Sequence, residues 1–277
     1  MRRIVSRRGW RAACGALALG LAACQSANTT PPGAIGVDRP KRTSPPVSEA
    51  DLRAGAGQAY AEALAQAQRA GALNADAEMT ERVRRIAQRL VAATSAFRPD
   101  APGWPWDVNV IQSDQVNAWC MPGGKIAVYS GLITKLNLSD DEIAAVLGHE
   151  MAHALREHAR ERASERVAAG RTLQAAAGEA GAPGAPVDMA QLAREITLGL
   201  PNSRVHETEA DRLGVELAAR AGYDPRAALS LWQKMLKVEG KGPEWLGAHP
   251  AADTRTRDLE LYAARVMPLY EQARSAR

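Results

Sequence analysis

Aromatic residues make up only 4% of the 277 positions, and just one of them is phenylalanine. So few large flat side chains weigh against a large all-β sandwich and suit an alanine-rich helical fold. Cysteine is scarce as well. There are three, two of them within the first 24 residues, which cannot make a disulfide framework. Beyond the N-terminus no apolar run is long enough to span a bilayer, and no internal repeat is present. Neither sign of charge dominates. The formal charge of +4 falls to −1 once the five arginines of the first 23 residues (Arg2, Arg3, Arg7, Arg8, Arg11) are set aside, which argues against a nucleic-acid partner. What remains, 46% hydrophobic and 24% charged, is the composition of one globular domain with a real core.

The N-terminus reads as a targeting segment. Arginine-rich residues 1–11 lead into a short apolar stretch, Ala12 to Ala23, which closes on Leu21-Ala22-Ala23-Cys24. That tetrapeptide looks like a bacterial lipoprotein lipobox. Residues 1–23 are then a signal peptide, and Cys24 becomes an acylated first residue that anchors the chain without a transmembrane helix. Gln25, in place of Asp, resembles lipoproteins sent to the outer membrane, so the expected location is its periplasmic side. Residues 25–48 hold five prolines and little to bury, and 24–48 is expected to be a flexible tether.

The domain proper is expected over 49–277. Helical periodicity runs from Glu49 to Ala70 and from Glu78 to Phe97, and Pro99, Pro102 and Pro105 then break the chain. Val108/Val110 and Ile126/Val128 alternate like short strands over 107–112 and 125–129. Ser139-Asp140-Asp141-Glu142 reads as a capping box opening a helix with Ile143, Val146, Leu147, Met151 and Leu155 on its buried side. Residues 178–186 form a Gly/Pro loop able to gate a cleft. Helices are expected near 190–199, 204–221 and 225–238, and again after Pro250.

The chemistry sits in His149-Glu150-Met151-Ala152-His153. Two histidines at i and i+4 share one helix face and can share one ion, with Glu150 beside them as a general base. Arg156 and Ala159 stand where a metzincin needs Gly and His, and His158, five residues past His153, is expected to swing away and be exposed. A third ligand must come from elsewhere. Glu207-Thr208-Glu209-Ala210-Asp211 offers a carboxylate from a second helix.

These segments, together with Asn117-Ala118-Trp119-Cys120-Met121-Pro122-Gly123-Gly124-Lys125-Ile126, Ser203-Arg204-Val205-His206, Ala221-Gly222-Tyr223-Asp224-Pro225 and His249-Pro250 with Arg255, resemble the zinc metallopeptidase family of HtpX and the CAAX prenyl protease, above all its soluble bacterial lipoprotein members. The resemblance runs from about residue 80 to 265. It implies an α+β, mainly α-helical, zincin-like metallopeptidase domain with a small β-sheet beside the HExxH helix. It also implies one zinc ion per chain on His149, His153 and Glu207, with Glu150 as catalytic base. His249 and Arg255 become candidates for stabilising an oxyanion, and Asn117, Ala118 and Trp119 for binding an extended substrate along a strand edge. The transmembrane helices of HtpX and the prenyl protease have no counterpart in this sequence.

Helix register separates the two glutamates. Glu207 shares a face with Asp211 and with the small residues Ala210, Gly214 and Ala218, so Asp211 is placed to accept from a ligating imidazole. Glu209 lines up with Arg212, Glu216 and Arg220, a charge stripe expected to face solvent. Cys120 is read as a small, semi-buried strand residue, with latent zinc ligation as the alternative. Two classes of function follow. One is a membrane-anchored endopeptidase acting on damaged or unassembled envelope polypeptides. The other is a non-proteolytic zinc lipoprotein serving as a holdase or assembly factor, for which Glu150 would have no use.

Overall fold

The computed structural model describes residues 25–27, 30–43, 47–176, 186–238, 244–250 and 254–276. The expected signal peptide, the expected lipidation site Cys24 and nearly all of the 178–186 loop lie outside the described residues.

Strands β1 (Gln25–Ala27) and β2 (Lys41–Thr43) pair antiparallel near the N-terminus. Ser48 and Asp76 then accept hydrogen bonds from first-turn amides and so open α1 (Glu49–Arg69) and α2 (Ala77–Ala93). A 3-10 turn, Thr94–Ala96, ends α2 short of Phe97. Three strands follow, β3 (Asp107–Ile111), β4 (Ala118–Met121) and β5 (Lys125–Tyr129), in the order β3-β5-β4. β3 runs parallel to β5 and β4 antiparallel to it, which leaves β4 on an edge. After α3 (Ser130–Leu136) comes α4 (Asp140–Leu155), opened by the expected box, in which Ser139 and Glu142 each accept from the other's backbone amide. The chain continues through α5 (His158–Ala176) and α6 (Met189–Arg194), and α6 widens into a π-turn over Glu195–Gly199. Then follow α7 (Arg204–Arg220), α8 (Ala227–Leu236), α9 (Glu244–Ala248) and α10 (Arg255–Ser275). The α+β, mainly helical class with a small sheet against the HExxH helix is the architecture found.

Both faces of the sheet are covered. Val110, Ala118, Cys120, Ile126 and Val128 join the core built by α2, α4 and α7. Ile111, Trp119, Met121 and Ala127 join a second core with Leu52, Ala56, Ala59, Tyr60 and Ile196. This double burial explains why Ala118–Met121 shows no polar alternation and is silent as a strand pattern. The Tyr60 hydroxyl donates to the Ile126 carbonyl at 2.9 Å and accepts from Asn109, pinning α1 to the sheet.

Two expectations need correction, and one contact corrects both. Over residues 30–43 the expected tether is instead packed: Thr30, Ile35 and Val37 are buried. The segment lies on the α7 charge stripe that was expected to be solvated. Ala34 and Ile35 donate their amides to Glu216, Arg212 donates to the Gly36 carbonyl, and Arg39 grips Glu209. Glu209 and Glu216 are 5% and 1% exposed in consequence.

Helices α4 and α7 meet backbone to backbone. A Cβ on Gly148 would lie 2.8 Å from the Gly214 carbonyl oxygen, and one on Gly214 would lie 2.7 Å from the His149 nitrogen. Gly214→Ala is therefore expected to destabilise the protein by about 1–3 kcal/mol and to weaken metal binding by forcing the helices apart. Urea unfolding and zinc titration of the variant measure the two effects, and a wild-type result in both would contradict the contact.

Candidate active site

His149 and His153 stand one turn apart on α4, with their Nε2 atoms 3.1 Å from each other. Their other nitrogens are engaged outward. His149 Nδ1 donates to Asp211 Oδ1 at 3.0 Å, and His153 Nδ1 lies 2.9 Å from His158 Nδ1. From α7, Glu207 sets its two carboxylate oxygens 3.4 Å from the two Nε2 atoms. Glu207 Oε1 is buried with no hydrogen-bond partner. His249 joins the group, and the four donor atoms all fall within 4.8 Å of one another. A buried, unsatisfied carboxylate oxygen facing converging imidazole nitrogens is the donor chemistry of a divalent cation site, and N/O donors of this kind suit zinc.

The electrostatics agree. Burial lowers the His149 imidazole, but hydrogen bonds with Asp211 and Glu207 outweigh it and lift its pKa to about 9. Burial raises Glu150 to about 7 against the opposing charge of His149 and the Trp245 hydrogen bond. Burial brings His153 down to about 4.

Sequence reasoning and structure differ at particular positions. Asp211 is where the register puts it, hydrogen-bonded to a candidate ligand. Arg255, expected as an oxyanion donor, does not line the cleft. It sits behind the ligands, donating to Glu207 Oε2 at 3.2 Å and Asp211 Oδ1 at 2.7 Å while stacked on Trp232. His249 does reach the site. Its ring stacks on Trp245 at 4.3 Å, its Nδ1 donates to the Trp245 carbonyl, and its Nε2 lies 3.3 Å from Glu150. His158, expected to be exposed, is 1% exposed, because α5 follows α4 after two residues and turns the ring back onto His153. Trp245, which donates its indole N–H to Glu150 at 2.8 Å, was missed, and its only signal is the i, i+4 spacing to His249. Cys120 is free and buried on β4, outside the four-donor group, and burial raises its thiol well above the usual range.

Glu150, His153 and His249 open onto a cleft of about 550 Å³. Asn117, Ala118 and Trp119 line it, as do Ile196, Leu198 and Leu200 around the π-turn, so the three candidate substrate-binding residues do come to the site. Among the described residues no helix is long and apolar enough to cross a membrane.

Comparison with known proteins places these features in context. The profile of peptidase family M48 matches residues 77–263. The chain is 35% identical over 185 residues to the mitochondrial metalloendopeptidase OMA1 of Arabidopsis thaliana, covering 66% of this chain and 36% of that one. It is 30% identical to the metalloprotease LoiP of Escherichia coli (strain K12), over 62% of this chain and 69% of LoiP. It is 26% identical to the beta-barrel assembly-enhancing protease of the same organism, over 72% and 42% respectively. The chain spans between 34% and 51% of the length of the OMA1 proteins it matches.

Glu207→Ala is expected to abolish zinc binding, and Asp211→Asn to weaken it roughly 10–100-fold by freeing the His149 ring. Competition with a chromogenic chelator reads both. Full zinc affinity in Glu207→Ala would remove α7 from the site.

Proposed function

Starting from the fact that the chain belongs to peptidase family M48, we propose that it is a zinc-dependent endopeptidase of the bacterial cell envelope. The observation that carries this reading is Glu150. It is a 3%-exposed carboxylate adjacent to the His149/His153/Glu207 group, with its side chain on the open cleft. A purely structural metal site has no need of a general base there. Zinc bound by these residues would supply Lewis-acid polarisation of a scissile carbonyl and acidify water beside it.

The protein's own groups divide the remaining work. Trp245 hydrogen-bonds the Glu150 carboxylate and holds it in one orientation. Glu150 takes the proton of the attacking water and delivers it to the leaving amine. The free edge of β4 offers main-chain hydrogen bonds to an extended polypeptide, and the apolar lining from Trp119, Ile196 and Leu198 accepts side chains with little sequence demand. The proposed substrates are therefore unfolded or misassembled envelope polypeptides. Support for the location comes from the lipobox at Cys24 and from the assembly-enhancing protease among the relatives. Lipid anchoring at the periplasmic face of the outer membrane belongs to the same proposal.

His249 bears on activity as well as binding. Three protein donors leave a zinc position open, and four close it. His149, His153 and Glu207 stand on the two helices locked by Gly148 and Gly214, whereas His249 follows the five-residue α9. It is the one of the four donors not carried by those two helices, and a metal held by all four would have no position open until His249 withdrew. Glu150→Gln is expected to keep its zinc while casein cleavage falls at least ~100-fold. Equal client protection without cleavage by wild type and variant would favour the holdase. His249→Ala is expected to retain zinc and cleave casein faster than wild type. Loss of turnover there would make His249 an oxyanion donor instead.

A further inference from the structure

The hydrolytic reading does not use a chain of buried polar groups that runs from the N-terminal segment to His153. Glu209 Oε2 accepts from Arg156 Nε at 3.0 Å, and Glu209 Oε1 accepts from Arg39 Nε at 2.5 Å. Arg39 also donates to both oxygens of Glu161 at 2.7 and 2.8 Å. Arg156 donates to Thr30 Oγ1 and to the Arg39 carbonyl, so the segment is bound through side chain and backbone alike. His158 bridges the remaining gap, with Nε2 3.0 Å from Glu209 Oε2 and Nδ1 2.9 Å from His153 Nδ1. Arg156, His158 and Glu209 are all at least nine-tenths buried.

The protons along this chain can be assigned. Both Glu209 oxygens are already accepting from guanidinium groups, so the contact with His158 is Nε2–H donating to the carboxylate. With His158 neutral, its Nδ1 is an acceptor, and the hydrogen between the two rings belongs to His153 Nδ1. That leaves His153 Nε2 with its lone pair, aimed at His149 Nε2 and Glu207. Asp211 does the same for His149 through one hydrogen bond. For His153 the equivalent carboxylate, Glu209, acts one imidazole further away.

We propose that His158 and Glu209 are positioning residues that fix the tautomer and ring angle of His153 for metal binding, and that Arg39 makes the N-terminal segment part of that support. This rests on the metal-site reading above and deepens it. The test compares His158→Leu, His158→Asn and Arg39→Met in the mature chain. Zinc affinity is read by chelator competition, and the His153 tautomer of zinc-free protein by 15N imidazole NMR. His158→Leu is expected to lose about 10-fold or more in zinc affinity, with His153 no longer held as the Nδ1–H tautomer. His158→Asn keeps an amide oxygen to accept from His153 and should recover most of both. Arg39→Met should weaken zinc by a smaller factor. Wild-type affinity in His158→Leu, or an equal loss in His158→Asn, would overturn the positioning role. Wild-type affinity in Arg39→Met would remove the N-terminal segment from it. Should wild type itself bind no zinc, the proposed function fails, while the tautomer measurement still decides this inference. Should His158→Leu not fold, His158→Asn and the wild-type tautomer decide it.

Discussion

Two glycine backbones in contact, Gly148 on α4 and Gly214 on α7, set the distance on which everything else in the site depends. Side chains ordinarily hold packed helices apart by roughly 8–10 Å. Glu207 has only a short reach, yet its oxygens arrive 3.4 Å from two ring nitrogens on the neighbouring helix. One turn along, Asp211 meets the outward nitrogen of His149 at 3.0 Å. Neither contact survives a gap widened by even one methyl group, because both carboxylates come from the same rigid helix and move together. Arg255 closes the arrangement from behind by bridging Glu207 and Asp211, so the two acids are held relative to each other as well as to the histidines.

The second constraint is electrostatic. Arg39, Arg156, Glu161 and Glu209 form a balanced group in which three members are almost wholly buried. Buried ion pairs contribute little net stability when intact, but removing one partner strands the other at a cost of about 3–5 kcal/mol. Such a group specifies one arrangement of the N-terminal segment, α5 and α7 by penalising the others. His158 and His206 attach to the same two carboxylates and stack on each other with centroids 4.3 Å apart. The order of the metal-binding ring is thus tied to a set of charges that tolerates no partial solution.

What could be read from the sequence was whatever is local. The capping box at Ser139, the i, i+4 histidines and the pairing of Glu207 with Asp211 follow from helix geometry alone, and all three stand as expected. The misreadings share one cause. A helical wheel identifies the face that carries Glu209, Arg212, Glu216 and Arg220, but says nothing about what lies over it. The Pro-rich segment looked too polar to pack because its apolar side chains are few. Ile35 and Val37 nevertheless reach the core, and the segment's backbone amides and Arg39 fasten it to the charged face of α7. Two polar surfaces each read as solvated in isolation when in fact they cover each other. His158 failed for the same reason, since its burial depends on the turn at Arg156–Glu157 that starts α5 against α4. Ala118–Met121 was silent because both faces of the strand are covered.

The docked segment also changes what an anchor at Cys24 would do. A flexible tether of 25 residues would let the domain sample a wide shell of space around its lipid. With Thr30 hydrogen-bonded to Arg156, only five residues lie between the proposed acylation site and that contact, and three of them already pair as β1 against β2. Arg156 directly follows the last residue of α4, so this short leash is attached at the end of the HExxH helix itself. The proposed lipid at Cys24 would therefore hold the cleft close to the bilayer surface, raising its effective concentration toward chains at that surface over chains in the bulk periplasm. Selectivity for the proposed substrates, unassembled envelope polypeptides, would then need no sequence code in the cleft. An open strand edge, an apolar lining and the proximity that the proposed anchor would enforce would be sufficient to favour them.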